Sequence, residues 1–162
     1  MPSTFQISVV DYASPRDQIA FKSLLNMYAC DPMGGSEPLD PAVLERLCPD
    51  LAKIPTAMSW LAWHKEQPVG LLNAFKVYST FKGKPLMNIH DIAVHPDFRG
   101  QGVGQQLIAT LEQYARAHHC CKMTLEVLTG NLPARHTYLK VGFEDYALDP
   151  EFGSACFMQK WL

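Results

Sequence analysis

Apolar residues follow two different spacings along this chain, one typical of strands and the other of helices. Alternating or continuous apolar runs predict strands at Phe5–Val10, Ala57–His64, Val69–Tyr78 and Ile89–Val94. Farther along, one buried face of a helix is indicated by apolar residues at every fourth position, Val103, Leu107, Leu111 and Ala115. The two spacings together predict an α/β fold.

Two more helices are predicted in the first third of the chain. Ser14 and Pro15 are typical of a helix start. The expected buried positions of this helix are Ile19, Leu24, Leu25 and Tyr28. Turn residues crowd Asp31–Pro38, which predicts a loop, and a short helix follows at about Pro41–Leu51.

The C-terminal part completes the predicted sheet. It comprises a strand at Lys122–Leu128, a helix at Asn131–Val141, and a closing antiparallel pair, Phe143–Leu148 with Ser154–Trp161. The whole pattern predicts a mixed, mostly antiparallel sheet flanked by helices on both faces. Because the chain has 162 residues and 48% of them are hydrophobic, we expect a single domain over residues 1–162.

A glycine-rich loop, Arg99–Gly104, joins the strand that ends at Val94 to the helix that begins near Val103. Its three glycines let the backbone approach a ligand closely, and the first N–H groups of a helix have no internal acceptor. These donors and the helix dipole favour a phosphate, to which Arg99 adds a positive charge. The loop therefore predicts a phosphate-containing ligand.

Two common phosphate-binding loops fit this segment poorly. In the dinucleotide-binding pattern G-x-G-x-x-G, Gly100 and Gly102 match but the third glycine position is Gln105. Glu126 lies near the expected ribose-binding acid, yet the chain after it is too short for the rest of a doubly wound sheet. The P-loop pattern fails because no Gly-Lys-Ser/Thr follows.

Residues Val94–Gly104 instead resemble the acetyl-CoA-binding motif of the GCN5-related N-acetyltransferases (GNAT), whose core is R/Q-x-x-G-x-G/A. A second element of that family, N-x-x-A-x-x-x-Y-x-x-x-G-F, is matched by Asn131, Ala134, Tyr138, Gly142 and Phe143. The close resemblance covers about Ile89–Phe143. Two motifs at the family's separation are more specific than one.

The resemblance implies a GNAT-type acyl-CoA N-acyltransferase fold and direct acetyl transfer from acetyl-CoA to a primary amine, without a metal. It implies that Tyr138 protonates the departing thiolate and that Asn131 holds the pantetheine arm. The strand before the loop is implied to pair with pantetheine through its backbone. The implied coenzyme-binding residues are Ile92, Ala93, Val94, Arg99, Gly100, Gln101, Gly102, Val103, Gly104, Gln105, Asn131 and Tyr138.

Three residues are candidates for the base that takes the amine proton, which most alkylamines carry at neutral pH. Glu126 ranks first, because it is a carboxylate in the predicted apolar strand, where burial would strengthen it as a base. It lies twelve positions before Tyr138, the relation of base and acid in the ribosomal-protein alanine acetyltransferases, which this segment resembles. Asp91 ranks second and His90 third, since other branches of the family draw a base from this strand.

The acceptor is not identified by the sequence. In the family, the segment containing Asp31–Pro38 often forms one wall of the acceptor site, although a plain surface connection is an equal alternative. Phe75, Tyr78 and Phe81 could line an acceptor cleft, but packing in the core or on the sheet is favoured. The acceptor could be a small molecule or a peptide amine. A catalytically silent acyl-CoA-binding module is the alternative function.

Composition narrows the classes of partner. A net charge of −2 without a basic run argues against binding to nucleic acid or a membrane surface.

We expect a cytoplasmic protein, because no membrane-length span or signal peptide is evident. Exposed sheet edges make a homodimer plausible. The five cysteines are an odd number and are predicted to be reduced, and directly adjacent ligands make His118–Cys121 a poor metal site.

Overall fold

The computed structural model describes residues 5–162. They form two compact units, one that ends at Leu125 and a smaller one, Glu126–Leu162. The single domain expected over residues 1–162 stays a prediction. The observed first strand, Gln6–Val9, is one residue shorter at each end than the predicted strand Phe5–Val10.

The first unit contains a five-stranded sheet with strand order β1-β2-β3-β4-β5. Its strands are β1 Gln6–Val9, β2 Ala57–His64, β3 Gln67–Ser79, β4 Lys84–Val94 and β5 Met123–Leu125. The first four pair antiparallel, whereas β5 runs parallel to β4. The predicted mixed, mostly antiparallel sheet is confirmed, with β1 at one edge.

Residues 5–162 contain four α-helices: α1 Pro15–Cys30, α2 Pro41–Leu51 and α3 Val103–Ala117 in the first unit, and α4 Leu132–Lys140 in the second. The starts of α1 and α2 are fixed by a capping side chain followed by proline at the first helical position. Ser14 accepts a hydrogen bond from the Asp17 N–H, and Asp40 accepts one from the Ala42 N–H. The helix start predicted at Ser14 and Pro15 and the range predicted for the second helix, Pro41–Leu51, are confirmed.

The helices of the first unit cover both faces of its sheet. Phe21 and Leu24 of α1 belong to one buried cluster with Leu61 and Leu71 of the sheet. On the opposite face α3 packs so closely on Gly70 that an added Cβ there would lie 2.7 Å from Val103 Cγ1. Since neighbouring strand residues point to opposite faces, two layers of helices enclose the sheet, as expected.

The buried face of α1 differs from the predicted one. Ile19 is 70% exposed, and the buried positions are Ala20, Phe21, Leu24 and Ala29. Of the other predicted positions, Leu24 is confirmed, while Leu25 and Tyr28 are half-buried. Ile19 is wrong because Phe21 and Leu24 set the phase of the stripe, and Ile19 lies outside it.

The C-terminal strands were overestimated by the pattern. β5 is limited to Met123–Leu125, and neither Phe143–Leu148 nor Ser154–Trp161 contains a strand. Between them lies a short 3₁₀ turn, Pro150–Phe152. The predicted pair is wrong because residues 144–162 are exposed, so no buried apolar face supports a hairpin within this unit.

Candidate active site

The glycine loop offers backbone donors at the start of α3. Gly100 and Gly102 have φ values of +74° and +85°, in the left-handed region that residues with a side chain rarely adopt. Gly102 is the N-cap of α3, and no side chain caps the helix. Its first-turn amides therefore keep the hydrogen-bonding capacity that suits a phosphate group.

Arg99 is held beside this loop by two contacts. Its Nε donates to the carbonyl of Val94 at 3.1 Å, and its Nη2 lies 3.1 Å from Oδ2 of Asp31. The Met33 N–H and, next, the Arg99 guanidinium lower the pKa of the Asp31 carboxyl. An anion bound at the loop would thus share Arg99 with Asp31.

Strand β4 has different partners along its length. Ile92, Ala93 and Val94 pair with β3, whereas pairing with β5 is confined to the segment from Met87 to Ile89. The ladder between β4 and β5 therefore stops before Ile92. This leaves the far side of the β4 segment near the loop outside that ladder, where an extended ligand could add as a strand does.

A cavity of about 360 Å³ lies on the side of the sheet covered by α1 and α2. Its walls come from the segment after β1, from α1, α2 and the loop between them, and from strands β2, β3 and β4. Most of the lining is aliphatic or aromatic. The described lining residues that carry a polar or ionisable group are Tyr12, Tyr28, Ser59, Asn73, His90 and Asp91.

A β-bulge brings His90 and Asp91 to the same cavity. Asn73 of β3 pairs with Asp91, but the next residue, Ala74, pairs with Ile89, so His90 is an extra residue in β4. Consecutive strand residues normally point to opposite faces, and a bulge redirects one of them. Both side chains consequently line the cavity, and the His90 ring meets Phe75 edge-on at 5.5 Å.

Four polar side chains form a continuous hydrogen-bonded row, Tyr12–Ser59–Asn73–Asp91, which we call the polar row. The Asn73 amide donates to Asp91 Oδ2 at 3.0 Å, and the Ser59 hydroxyl donates to Asn73 Oδ1 at 2.6 Å. Tyr12 Oη lies 2.7 Å from Ser59 Oγ. Because the single Ser59 proton is given to Asn73, Tyr12 must be the donor to Ser59. Every donor in the row therefore points toward the Asp91 carboxylate.

Both tyrosines of the cavity are held in their neutral form. Burial raises the pKa of the Tyr28 hydroxyl, and the carboxylates of Asp91 and Asp31 raise it further. Burial likewise raises the pKa of Tyr12, although its hydrogen bond with Ser59 opposes this. Among the described residues that line it, the cavity thus presents one carboxylate, Asp91, next to neutral hydroxyl groups.

Comparison with known proteins decides the family. The model of the acetyltransferase (GNAT) family matches residues 21–143, which is more than half of the chain. The chain belongs to the GNAT acetyltransferase family. The resemblance read from the two motifs is confirmed.

Individual relatives match part of the chain at the sequence level. N-acetyltransferase 8B of Rattus norvegicus is 33% identical over 85 residues, which are 52% of this chain and 38% of that protein. Thialysine N-epsilon-acetyltransferase of Bos taurus is 36% identical over 80 residues, 49% of this chain and 45% of that protein. The chain thus spans less than half the length of these curated relatives.

The GNAT fold extends over nearly the whole chain. The structure of AAC(6')-Iy in complex with the bisubstrate analog CoA-S-monomethyl-acetylneamine superposes with a TM-score of 0.78. The match covers 99% of this chain and 100% of that one, at 17% identity. At such low identity the likeness shows the fold alone, and the predicted GNAT-type fold is confirmed.

The structure does not support burial of Glu126. This residue follows the end of β5 and is exposed, so the prediction that its carboxylate lies in the middle of an apolar strand is wrong. The predicted strand extended to Leu128 because Val127 continues the alternation, but the observed pairing of β5 with β4 ends at Leu125. Its role as base stays a prediction.

The residues of the second family motif lie in the smaller unit. Asn131 is the N-cap of α4, where its side chain accepts a hydrogen bond from the Ala134 N–H at 3.3 Å. Tyr138 lies on the same helix, with its ring 6.0 Å from that of Phe143. The capping role of Asn131 is confirmed, and the coenzyme roles of both residues stay predictions.

Three members of the polar row were missed by the sequence reasoning: Tyr12, Ser59 and Asn73. A signal existed for two of them, since Ser59 and Asn73 are polar residues inside otherwise apolar strands. Both are buried, at 2% and 5% exposure, and buried polar groups need partners.

Two aromatic residues are more exposed than predicted. Tyr78, near the end of β3, and Phe81, in the turn that follows, are 63% and 98% exposed, so the predicted packing is wrong for both. Phe75 lines the cavity.

Within residues 5–162, no three His, Cys, Asp or Glu side chains are grouped to hold a metal ion. In the same part of the chain, no helix has the length and apolar character needed to cross a bilayer.

Proposed function

We propose that this protein is an N-acetyltransferase that moves the acetyl group of acetyl-CoA directly onto a primary amine of a small molecule or peptide. One observation carries the proposal. Strand β4 supplies Asp91 to the cavity and ends three residues later at Val94, whose carbonyl accepts a hydrogen bond from Arg99 of the glycine loop. Three residues of extended strand span about 10 Å, so a pantetheine arm that runs along β4 from a pyrophosphate at the loop would carry its thioester toward an amine at Asp91.

The coenzyme side of the proposal follows from the loop geometry. Left-handed glycines and the uncapped start of α3 suit a pyrophosphate, with Arg99 beside it. The strand segment next to the loop would pair with pantetheine through its backbone. The proposed coenzyme-binding residues are Ile92, Ala93, Val94, Arg99, Gly100, Gln101, Gly102, Val103, Gly104, Gln105, Asn131 and Tyr138.

The proposed reaction is a direct transfer that needs no covalent enzyme intermediate. The amine nitrogen forms a bond to the acetyl carbon while the C–S bond of the thioester breaks. An ammonium must lose two protons to become an amide: one leaves through a base, and one ends on the departing sulfur. The products are the N-acetyl amine and the free coenzyme thiol.

We propose Asp91 as the base, ahead of Glu126 and His90. Asp91 lines a cavity that could hold the amine, and the polar row fixes its orientation. A base acts by its position relative to the proton it takes, which favours a residue already facing the acceptor cavity. Glu126 is exposed beyond the end of β5, and His90 lines the cavity but is exposed and packs against Phe75.

We propose Tyr138 as the acid that protonates the departing thiolate. The support is its place in the family motif that runs from Asn131 to Phe143. The hydroxyl of a phenol is a hydrogen-bond donor that can supply its proton to a departing thiolate.

The alternative is an acyl-CoA-binding module without activity, and a single assay separates the two. Thiol release from acetyl-CoA is followed with a panel of primary amines, while coenzyme binding is measured by calorimetry. We expect binding and amine-dependent release. Binding without release for any amine would favour the silent module, and no binding by folded protein would contradict both functions.

A further inference from the structure

We infer that the acceptor is a compact monoamine with an apolar body, whose ammonium group is bound by Asp91. This inference rests on the proposed acetyltransferase function and narrows its substrate class. It excludes polyamines and aminoglycosides as preferred acceptors, since both carry several positive charges.

The charged groups that line the cavity can pair with one ammonium group. Among the described residues that line it, Asp91 is the one carboxylate, and none is lysine or arginine. The nearby Asp31 is already paired with Arg99 at 3.1 Å. A first ammonium therefore has a partner at Asp91, and a second one deeper in the cavity would have none.

The polar row makes Asp91 a fixed anchor. The Asn73 amide occupies one side of Oδ2, and Asn73 is itself held by the Ser59 hydroxyl. An ion pair is more favourable when the carboxylate does not have to be ordered on binding, because less side-chain entropy is lost. The ammonium is thus directed to this carboxylate.

The remaining walls select an apolar body. Leu25 and Tyr28 of α1, Val43 and Leu47 of α2, and Phe75 of β3 all face the cavity. A hydrocarbon chain or ring placed against them would bury apolar surface, which is favourable by about 25 cal/mol per Å². A second charge against the same walls would be desolvated without a partner, which is costly.

The size of the cavity also favours a compact acceptor. Its volume of about 360 Å³ is at the low end of the range for small-molecule sites, roughly 300 to 1,000 Å³. A ligand of a few carbons fits this space. A tri- or pseudosaccharide amine would leave most of its polar surface outside.

A matched pair of amines tests the inference. Hexylamine and 1,6-diaminohexane have the same carbon chain and differ by one ammonium group. We expect kcat/KM for hexylamine to exceed that for the diamine by about 10- to 100-fold, the effect of an unpaired charge at an apolar wall. Spermidine, an aminoglycoside and a lysine-containing peptide are measured under the same conditions.

A pair of variants tests where the discrimination arises. Val43→Glu adds a second carboxylate to the α2 wall, and Val43→Gln adds a side chain of nearly the same shape without the charge. We expect Val43→Glu to reduce the preference for hexylamine at least about fivefold relative to Val43→Gln. Circular dichroism and the affinity for acetyl-CoA show whether both variants keep the fold.

The outcomes separate this inference from the function on which it rests. Equal or better turnover of the diamine, of spermidine, of the aminoglycoside or of the peptide would overturn the monoamine class and leave the acetyltransferase function standing. An unchanged preference in Val43→Glu would also overturn it. No thiol release with any amine, from protein that binds acetyl-CoA, would overturn the function and the inference together.

Discussion

The glycine loop and the cavity are both adjacent to β4, but different chemical groups form the two sites. The loop is a contiguous segment whose left-handed glycines expose backbone amides. The cavity is assembled from side chains on two helices, three strands and their connections. Binding at the loop thus depends on a backbone conformation that most side chains in place of these glycines would disturb. Binding in the cavity depends on the identity of individual side chains, above all Asp91.

This difference predicts separable kinetic effects. Changes in the loop should weaken coenzyme binding whichever amine is used. Changes in the cavity should alter turnover and amine selectivity while leaving coenzyme affinity nearly intact. Substitutions in each site test that separation.

The largest effect is expected for Asp91→Asn, which keeps the shape of the side chain but removes the charge and the base. We expect kcat/KM for the amine to fall about 100-fold or more, the usual contribution of a general base. Coenzyme affinity should change less than about threefold, since Asp91 lies in the cavity. Glu126→Gln is the matched control, and a larger loss in that variant would return the role of base to Glu126.

Tyr138→Phe tests a residue that belongs to neither the loop nor the cavity. Loss of the acid should lower turnover at saturation about 100-fold while the coenzyme affinity is nearly unchanged. Steady-state kinetics and calorimetry measure the two quantities. If the affinity collapsed while saturated turnover held, the proposed role of the phenol would be wrong.

Gly102→Ala tests the backbone conformation of the loop. The left-handed φ of +85° is unfavourable for alanine by about 1 to 2 kcal/mol, and relief of this strain would displace the amide donors. We expect coenzyme affinity to fall about tenfold or more. Gly83→Ala is the control, because Gly83 also has a positive φ, +61°, but lies before the opposite end of β4. The two variants should lose similar stability, and an equal loss of coenzyme affinity would contradict the account.

Ser59→Ala breaks the polar row at its centre. Asn73 loses a donor and Tyr12 loses an acceptor, so the free energy of unfolding should fall by about 1 to 3 kcal/mol. Turnover should fall a few-fold, roughly two- to tenfold, as Asp91 loses its fixed position. Ser8→Ala, which removes the acceptor of the Trp63 indole at 3.1 Å, is the control. Ser8→Ala should lower stability without changing turnover. If Ser8→Ala also lowered turnover, the loss of turnover in Ser59→Ala would not come from the polar row.

Asp31→Asn is expected to have the smallest effect and links the two sites. Without the carboxylate, Arg99 is available to an anion, so coenzyme affinity should rise about two- to fivefold, the size of a partly exposed ion pair. The depressed pKa of Asp31 means that it stabilises the fold above its usual titration range and loses this contribution as the pH falls through the depressed value. Urea unfolding should therefore distinguish the wild type from the variant at neutral pH and not in strong acid. A weaker coenzyme affinity in the variant would contradict the shared role of Arg99.

The construction of the two sites also explains what could be predicted from the sequence. The loop is contiguous, so its glycines, Arg99 and the start of α3 could be read directly from neighbouring letters. Ser59, Asn73 and Asp91 lie on three strands and become neighbours only through their register, and the bulge at His90 has no clear sequence signal. A sequence pattern gives the face of a strand but not which residues lie opposite.

Failed predictions elsewhere have a similar cause. Val127 continues an alternating pattern beyond the point where β5 stops pairing, so Glu126 was placed inside a strand that had already ended. The predicted C-terminal pair had apolar residues but no buried face of its own in the smaller unit. Alternation indicates that a strand is possible, and only a pairing partner makes it one.

Direct transfer from one site to the other is tested most directly by following the acetyl group itself. The protein is incubated with acetyl-CoA labelled with ¹³C in the acetyl group and with hexylamine, and the products and the intact protein are analysed by mass spectrometry. We predict labelled N-acetylhexylamine and free coenzyme thiol in equal amounts, with no label on the protein. Labelled acetate without labelled amide, or a stable label on the protein, would contradict the account.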